Sequence, residues 1–363
     1  MFTKLSIKNL RCFDDFVLDA LAPLTLVSGR NNAGKTTLLE GVFLLLNHSD
    51  VSAFQAVSGW RGMECHASVN QGISFRLNPS YLWETLFTNI DMERELSISV
   101  TDHASVTRRL LMAKDEQFPT STFLEQSQVQ PMLQPAKGSY ALRLTLQDGS
   151  GQDEIGRLVL TQGGAALSGE VVQHRSMKPV GIYLGPNRYL PQQAVAEWFS
   201  KVELRNEKQR LVRSLRHLCE EIEDIFTVWH DGAVGIFSRM RNGVPLPIRA
   251  VGDGVNRLFH YLSVMIANPG GVFLFDEIDS GFHHSFYRKA WELVSMVAVE
   301  TDSQVIATTH SYECIKAAVE GTSQHSPGKL TYVRLGKEGE KIVPYSFSEA
   351  DLAYALEQEM EVR

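Results

Sequence analysis

Cysteine is scarce in this sequence. Its 363 residues include four cysteines, and no two of them have the CxxC spacing: Cys12, Cys65, Cys219 and Cys314. This pattern argues against both a disulfide framework and a cysteine-rich zinc site. Scattered cysteines of this kind usually behave as small buried apolar residues, and they are typical of a reducing compartment.

An excess of positive charge is also missing. The chain has 42 acidic and 35 basic residues, which gives a net charge of -7. This balance argues against a chain-wide surface for nucleic acid, so DNA binding would require a local basic surface. The candidate surface is the stretch 205–217 (RNEKQRLVRSLRH) together with Arg239, Arg241 and Arg249, and these residues could equally form a solvated helix face.

Long hydrophobic runs are absent as well. No segment has the roughly 20 apolar residues that a membrane-spanning helix needs, and the N-terminus MFTKLSIKNLRCFDDF has no apolar signal core. We therefore expect a cytoplasmic protein with no membrane partner. A hydrophobic content of 44% and a charged content of 21% are typical of a globular chain with one large or two medium domains.

The first half of the sequence has mostly strand-like patterns. Residues 3–9 and 15–20 alternate as in a half-buried hairpin, and the apolar strand 24–28 is followed by a predicted helix over 35–46. Between about 50 and 175 the pattern favours short strands at 96–100, 140–146 and 155–161. The stretch 115–139 is rich in Gln, Ser and Pro, which predicts a mobile loop.

The second half becomes helical and then alternates. Charges interleaved with apolar residues predict one or two surface helices over 194–225, too short for a long coiled-coil arm. From residue 270 the strands 272–275 and 304–309 alternate with helices near 284–299 and 312–320. Apolar strands that alternate with helices indicate a parallel sheet covered on both faces.

A glycine-rich loop precedes the first predicted helix. Residues 29–36, GRNNAGKT, match G-x-x-x-x-G-K-[ST] at every required position. The glycines allow a tight turn whose N–H groups face a β-phosphate, while Lys35 would reach the β- and γ-phosphates and the Thr36 hydroxyl would hold Mg²⁺. The predicted nucleotide-binding residues are Gly29, Asn31, Asn32, Ala33, Gly34, Lys35, Thr36 and Thr37.

Two acidic residues end the predicted strand 272–275. Asp276 and Glu277 lie where open α/β sheets bind ligands, at the carboxyl end of a strand. Asp276 is the candidate for the Mg²⁺ water shell, and Glu277 is the candidate general base that polarises the attacking water. Two adjacent acids could also be a solvated turn, but the glycine-rich loop favours the catalytic interpretation.

A histidine follows the next predicted strand. The segment 304–311 (QVIATTHS) ends in a polar cluster with His310 at its tip. A lone histidine in such a place is usually structural. The spacing from the acidic pair would place its imidazole beside the γ-phosphate, so His310 is the second candidate catalytic residue.

The order of these three motifs resembles the ABC-type ATPase heads, which include RecF, the chromosome-maintenance heads and the OLD (overcoming lysogenisation defect) ATPases. More narrowly, IKNLRCF, GRNNAGKTTLLE, AVGDGVNRLFHYL, LFDEIDSGFHHS, ATTHSYECI and SEADLAYALEQEMEVR resemble OLD-related, RecF-like bacterial ATPases, many of which belong to phage-defence loci. The resemblance implies an α/β fold with a P-loop parallel sheet core, flanking helices and an N-terminal antiparallel β lobe. It also implies ATP and Mg²⁺ as cofactors.

On this basis we expect one ABC-type head over residues 1–363. Its parts are a β hairpin and P-loop (1–50), a β-rich lobe with a variable insertion at about 105–140 (51–190), and a helical lobe with the signature, the acidic strand and His310 (191–363). The variable stretch is where partner recognition is expected to lie.

The signature position of such heads falls on 250–258, AVGDGVNRL. The resemblance implies that Gly252, Asp253 and Gly254 contact the γ-phosphate of ATP held by a second subunit, so we expect a homodimer or a higher homo-oligomer. The usual serine is absent, and a plain helix-entry turn is the alternative. Residues 280–284 (SGFHH) resemble the loop that crosses the dimer seam, Gln55 is a weak candidate for a lobe-coupling glutamine, and Arg11 either lies near the nucleotide or forms a surface salt bridge.

Several functions share this head. A transporter subunit usually has the serine-containing signature, which is missing here. A fused nuclease is not expected, because the sequence reaches Arg363 soon after the last core helix. The favoured interpretation is an ATPase that senses a trigger and controls a separate effector protein, plausibly a nuclease, in anti-phage defence. The alternative is a RecF-like repair ATPase that binds DNA directly.

Overall fold

A parallel sheet forms the centre of the protein in a computed structural model, which describes residues 1–61, 84–115, 141–149, 151–161, 164–168, 179–186 and 190–362. Cys65 and residues 116–139 of the predicted mobile loop lie outside the described residues. The strand order is β16-β15-β3-β14-β13-β9, and all strands run parallel except β16, which pairs antiparallel with β15. These strands are β3 (Leu24–Gly29), β9 (Gly181–Leu184), β13 (Val272–Phe275), β14 (Gln304–Thr308), β15 (Leu330–Glu338) and β16 (Lys341–Ser348).

Helices cover both faces of this sheet. On β13, Phe273 and Phe275 pack into one hydrophobic cluster, while Val272 and Leu274 pack into another on the opposite face. Burial on both faces explains why the strand is apolar throughout instead of alternating. The helices are α1 (Lys35–Leu46), α2 (Val51–Gly59), α3 (Gln192–Leu204), α4 (Lys208–Arg216), α5 (Ile248–Val251), α6 (Asp253–Ala267), α7 (Tyr287–Glu300), α8 (Tyr312–Thr322) and α9 (Glu349–Glu357).

A second, antiparallel sheet packs on the α1 side. Its order is β2-β1-β4-β5-β6-β7-β8, and on β1 the inward side chains of Leu5 and Ile7 are fully buried between outward polar residues. The strands are β1 (Phe2–Leu10), β2 (Phe13–Leu18), β4 (Leu96–Asp102), β5 (Thr107–Asp115), β6 (Ala141–Asp148), β7 (Gly151–Thr161) and β8 (Gly164–Ser168). The expected fold class, with its parallel core and N-terminal antiparallel β lobe, is confirmed.

Two expectations about local structure need correction. The helical pattern ends at Arg216, and residues from Ile222 onward form a three-stranded antiparallel sheet of β10 (Ile222–His230), β11 (Ala233–Met240) and β12 (Pro245–Pro247). β-branched and aromatic residues in IEDIFTVWH favour a strand there. In addition, β5 occupies residues 107–115 of the expected variable insertion and pairs with strands on both sides.

Among the described residues, no helix is both long enough and apolar enough to cross a lipid bilayer.

Helices α7 and α8 approach each other closely at Gly321. A Cβ atom at this position would lie 2.5 Å from the carbonyl oxygen of Arg288 and 2.9 Å from Cβ of Trp291. Because a well-packed helix contact has no room for the methyl group, Gly321→Ala should lower the free energy of unfolding by about 1–3 kcal/mol, measured by urea denaturation. The control is Gly149→Ala, whose new Cβ would lie 3.5 Å from Val106; equal losses in both variants would contradict the prediction.

Candidate functional site

The glycine-rich loop joins β3 to α1 through two special backbone positions. Gly29 and Gly34 have φ angles of 149° and 92°, in the region that favours glycine. A Cβ atom at Gly34 would also lie 2.7 Å from the Phe13 ring and 2.9 Å from Cys12 Sγ. No side chain caps the N-terminus of α1, so its first backbone N–H groups can bind an anion.

Lys35 lies across this loop. Its side chain is largely buried, with 6% of the residue exposed, and Nζ donates to the carbonyl oxygens of Gly29 (2.8 Å) and Arg30 (3.0 Å). Burial lowers the pKa of Lys35, and the nearby carboxylates of Asp276 and Glu277 partly offset this effect. A buried ammonium with few compensating charges is suited to an anionic ligand.

Asp276 lies at the end of β13 and accepts hydrogen bonds from three hydroxyl groups. Thr36 Oγ1 (2.9 Å) and Tyr183 OH (2.8 Å) donate to Oδ2, while Thr308 Oγ1 (2.5 Å) donates to Oδ1. These groups come from α1, β9 and β14, three elements that meet at the carboxyl edge of the parallel sheet. The contact between Thr36 and Asp276 links the two motifs that the sequence analysis paired.

Glu277 follows in a strained backbone conformation. Its φ angle is 48°, a left-handed conformation that costs a non-glycine residue about 1 kcal/mol or more. Its backbone N–H donates to Thr308 Oγ1 at 2.8 Å. Arg257 donates to the carbonyl oxygens of both Asp276 (3.2 Å) and Glu277 (3.0 Å), which holds the turn in place.

Arg257 itself belongs to α6. Its guanidinium also donates to the carbonyl oxygen of Pro186 (2.7 Å) and to Tyr261 OH (2.8 Å). One side chain thus connects the helix after the predicted signature turn with the end of β9 and the acidic turn. The sequence pattern does not reveal this role, because Tyr261 alone of these partners is near Arg257 in sequence.

A cavity of about 530 Å³ lies over the glycine-rich loop. Most of the predicted nucleotide-binding residues line it together with the candidate catalytic histidine: Asn31, Asn32, Ala33, Gly34, Lys35, Thr36, Thr37 and His310. Arg11, Cys12 and Arg61 complete its wall. An adjoining cavity of about 590 Å³ is lined by residues 28–31, His310 and Glu361. His310 is exposed at the end of β14 and faces both cavities.

Two arginines of this wall share one buried carboxylate. Glu40 is 1% exposed and forms ion pairs with Arg11 and with Arg61, whose Nε lies 3.0 Å from Oε1. Arg11 lines the cavity, and its salt bridge with Glu40 is buried, unlike the surface salt bridge that was the predicted alternative. Burial lowers the pKa of Arg11, and its Nη2 atom is buried without a hydrogen-bond partner in the described part of the chain. Gln55 is exposed on α2 and does not line this cavity.

The predicted signature residues lie apart from this cavity. Gly252 has a φ angle of 151° and separates α5 from α6, which begins at Asp253. A Cβ atom at Gly254 would lie 3.1 Å from the carbonyl oxygen of Gly281, so the turn packs on the 280–284 loop. Among the described lining residues of the two loop cavities, none comes from 252–254. One chain alone therefore does not bring the signature to the loop.

The oxygen donors at this edge fit a magnesium ion. The candidate metal residues, Thr36 and Asp276, supply a hydroxyl and a carboxylate, and Mg²⁺ prefers such hard oxygen ligands. The described residues contain no group of three or more His, Cys, Asp or Glu side chains that could hold a metal by themselves. This is the pattern expected where substrate phosphates and water complete the coordination.

The Arg257 contacts lead to a stability prediction. Arg257→Lys should lower the free energy of unfolding by about 1–3 kcal/mol, because one ammonium cannot reach all four oxygen acceptors and leaves buried groups unsatisfied. Thermal or urea unfolding would measure this loss. Arg213→Lys is the control, since Arg213 is exposed and its Nε bonds only the Gln209 carbonyl within α4; a loss as large in the control would refute the prediction.

Two family models match separate parts of the chain. A model described as an AAA domain matches residues 4–148, which contain the glycine-rich loop. A second AAA domain model, whose description refers to the AbiEii toxin of a type IV TA system, matches residues 181–315, which contain the acidic turn and His310.

The similar proteins span the chain almost completely. A protein of Helicobacter pylori named "ATP/GTP phosphatase" is 21% identical, and the match covers 99% of both chains. A crystal structure of an SmcHead bound to the C-winged helix domain of ScpA aligns with a TM-score of 0.52 at 13% identity over 98% of this chain and 99% of that one. An Smc head with an extended coiled coil, bound to the C-terminal domain of ScpA derived from Pyrococcus furiosus, gives 0.50 at 12% identity over 99% of both. Two parts of the chain thus match AAA domain models, and the chain as a whole has the fold of an SMC head.

Proposed function

We propose that this protein binds ATP as a dimer, hydrolyses it with Glu277 as general base, and uses the resulting closure and opening to control a separate effector in anti-phage defence. The observation that carries the proposal is the incomplete site. The loop cavity collects Lys35, Thr36 and His310, while the signature residues 252–254 of the same chain lie elsewhere. A second copy would supply the missing contacts.

The proposal assigns roles to residues of the loop cavity and of the adjacent acidic turn. The N–H groups at the start of α1 and the buried Lys35 ammonium bind the phosphates. Bound Mg²⁺ would neutralise charge on the β- and γ-phosphates, with Thr36 and Asp276 as its protein ligands or outer-sphere partners. Glu277 polarises a water molecule for attack on the γ-phosphate, and the exposed His310, which lines the loop cavity, senses that phosphate.

The signature turn supports an association between two copies. Asp253 is exposed at the N-terminus of α6, next to Gly252, and an uncapped helix N-terminus can point its N–H groups at a phosphate. Arg257 then connects this turn to the carbonyl groups of Asp276 and Glu277. If the signature turn contacts the nucleotide bound by the second copy, Arg257 would therefore transmit that contact to the acidic turn of its own chain.

The dimer leads to a prediction with two opposed variants. Glu277→Gln should retain ATP and form a stable dimer, because the amide cannot take a proton from water. Lys35→Ala should bind ATP at least about 100-fold more weakly and stay monomeric with ATP, since the main phosphate cation is gone. Light scattering with and without ATP, together with phosphate release, would measure both. Normal ATP turnover by Glu277→Gln would disprove the general-base assignment.

Control of a separate effector is supported by two kinds of similarity. The chain resembles OLD-related ATPases, many of which belong to phage-defence loci. The description of one matching family names a type IV TA system. The energy of an ABC-type cycle drives conformational change rather than chemistry on a second substrate, so a partner protein is the natural target.

Direct DNA binding is the competing function, but three cations of its proposed basic surface, Lys208, Arg210 and Arg241, already pair with acidic residues of the chain. Lys208 pairs with Asp224 at 3.0 Å, and Arg210 pairs with Glu300. Arg216 donates to the backbone carbonyl of Ile222, and Arg241 lies 3.3 Å from Glu221. Cations that already have partners release fewer counterions from DNA and bind it more weakly.

The two functions can be separated by one pair of measurements. We expect the protein to capture the product of a neighbouring gene in an ATP-dependent pull-down, with Lys35→Ala as the matched control that loses the capture. In parallel, affinity for duplex DNA should be weak and should not depend on ATP. Tight ATP-dependent DNA binding without a protein partner would replace effector control by the RecF-like function.

A further inference from the structure

Tyr183 is a buried phenol beside the candidate metal site, and no sequence motif includes it. It lies on β9 opposite Leu274 of β13, is 7% exposed, and donates from its hydroxyl to Asp276 Oδ2 at 2.8 Å. We infer that Tyr183 is a positioning residue for the metal: it fixes the carboxylate that orients Thr36. This inference rests on the proposed ATP and Mg²⁺ binding.

The hydrogen bonds around Asp276 show what the phenol can do. Each carboxylate oxygen has two lone pairs, and those of Oδ2 are directed to Thr36 and Tyr183, while Oδ1 accepts from Thr308. Thr36 donates its only hydroxyl proton to Asp276, so both lone pairs of Oγ1 remain for a metal. With both of its lone pairs occupied, Oδ2 acts through Thr36, and the Tyr183 bond keeps Oδ2 in the position that orients the Thr36 hydroxyl.

The ring of Tyr183 is held from two helices. Trp60, which follows α2, stacks on it with a centroid distance of 3.9 Å and an interplanar angle of 21°, and Phe43 of α1 meets it edge-on at 6.4 Å. Phe43 and Trp60 also contact each other at 4.8 Å. A ring fixed on these sides leaves the hydroxyl little freedom, which is the property needed to orient a ligand.

The C-terminal end of α2, next to the Tyr183 ring, also contacts the nucleotide cavity. Arg61 follows Trp60 directly, donates to Glu40 and to Thr37, and lines the loop cavity. The Trp60–Arg61 pair therefore touches the nucleotide-binding surface with one residue and the Tyr183 ring with the other. This arrangement links nucleotide binding to the orientation of Asp276 through residues that the sequence motifs do not cover.

Tyr183→Phe tests the inference, because it removes the hydroxyl and keeps the ring stack. The measurement is the affinity for a fluorescent, non-hydrolysable ATP analogue, with saturating Mg²⁺ and with EDTA. We expect the affinity in EDTA to be unchanged. The factor by which Mg²⁺ raises the affinity should fall about tenfold, as is typical when a residue that orients a metal ligand is removed. The melting temperature reports whether the fold is retained.

Tyr345→Phe is the matched control. Tyr345 also donates its hydroxyl to a carboxylate, Glu338 Oε1 at 2.7 Å, but it does so on the exposed β15–β16 hairpin. This variant should keep the full Mg²⁺ gain. An unchanged gain in Tyr183→Phe, or an equal loss of affinity with Mg²⁺ and with EDTA, would overturn the positioning role. Failure of the unmodified protein to bind the analogue at all would instead overturn the proposed function.

Discussion

The carboxylate of Asp276 is the interaction on which the rest of the site depends. It lies at the end of β13 and accepts hydrogen bonds from the hydroxyl groups of Thr36, Tyr183 and Thr308, which belong to α1, β9 and β14. A buried charge is costly unless hydrogen bonds compensate it, and three donors do so here. The same bonds fix the glycine-rich loop, the edge strand and the central strands of the sheet relative to one another.

The acidic turn is also held from the opposite side. Arg257 of α6 binds the carbonyl oxygens of Asp276 and Glu277, and the strained φ angle of Glu277 is maintained by these bonds and by Thr308. The predicted signature turn begins the same helix one turn earlier. Arg257 thus connects the candidate base, Glu277, with the predicted signature turn, where a second copy would bind. Tyr183 and Trp60 connect the candidate metal carboxylate, Asp276, with α2.

The sequence predicted much of the fold from local patterns. The helix over 35–46 and the strands at 272–275 and 304–309 were found because apolar runs bounded by glycine or polar residues determine their ends. Residues 222–225 were misassigned because the basic amphipathic pattern of α4 runs on without a glycine or proline before β10 begins. The expected antiparallel lobe was correct, although its strand β5 lies where a variable insertion was expected.

The sequence by itself determined the phosphate chemistry, because a contiguous glycine-rich loop and the helix that follows carry their own backbone geometry. It also identified Asp276, Glu277 and His310 as candidates, since the carboxyl ends of buried parallel strands meet at one edge. Only the tertiary structure decided which hydroxyls and which arginine surround the acidic turn. Tyr183 and Arg257 lie 93 and 19 residues from Asp276, and no period of 2 or 3.6 residues relates side chains that meet only when separate strands and helices pack together.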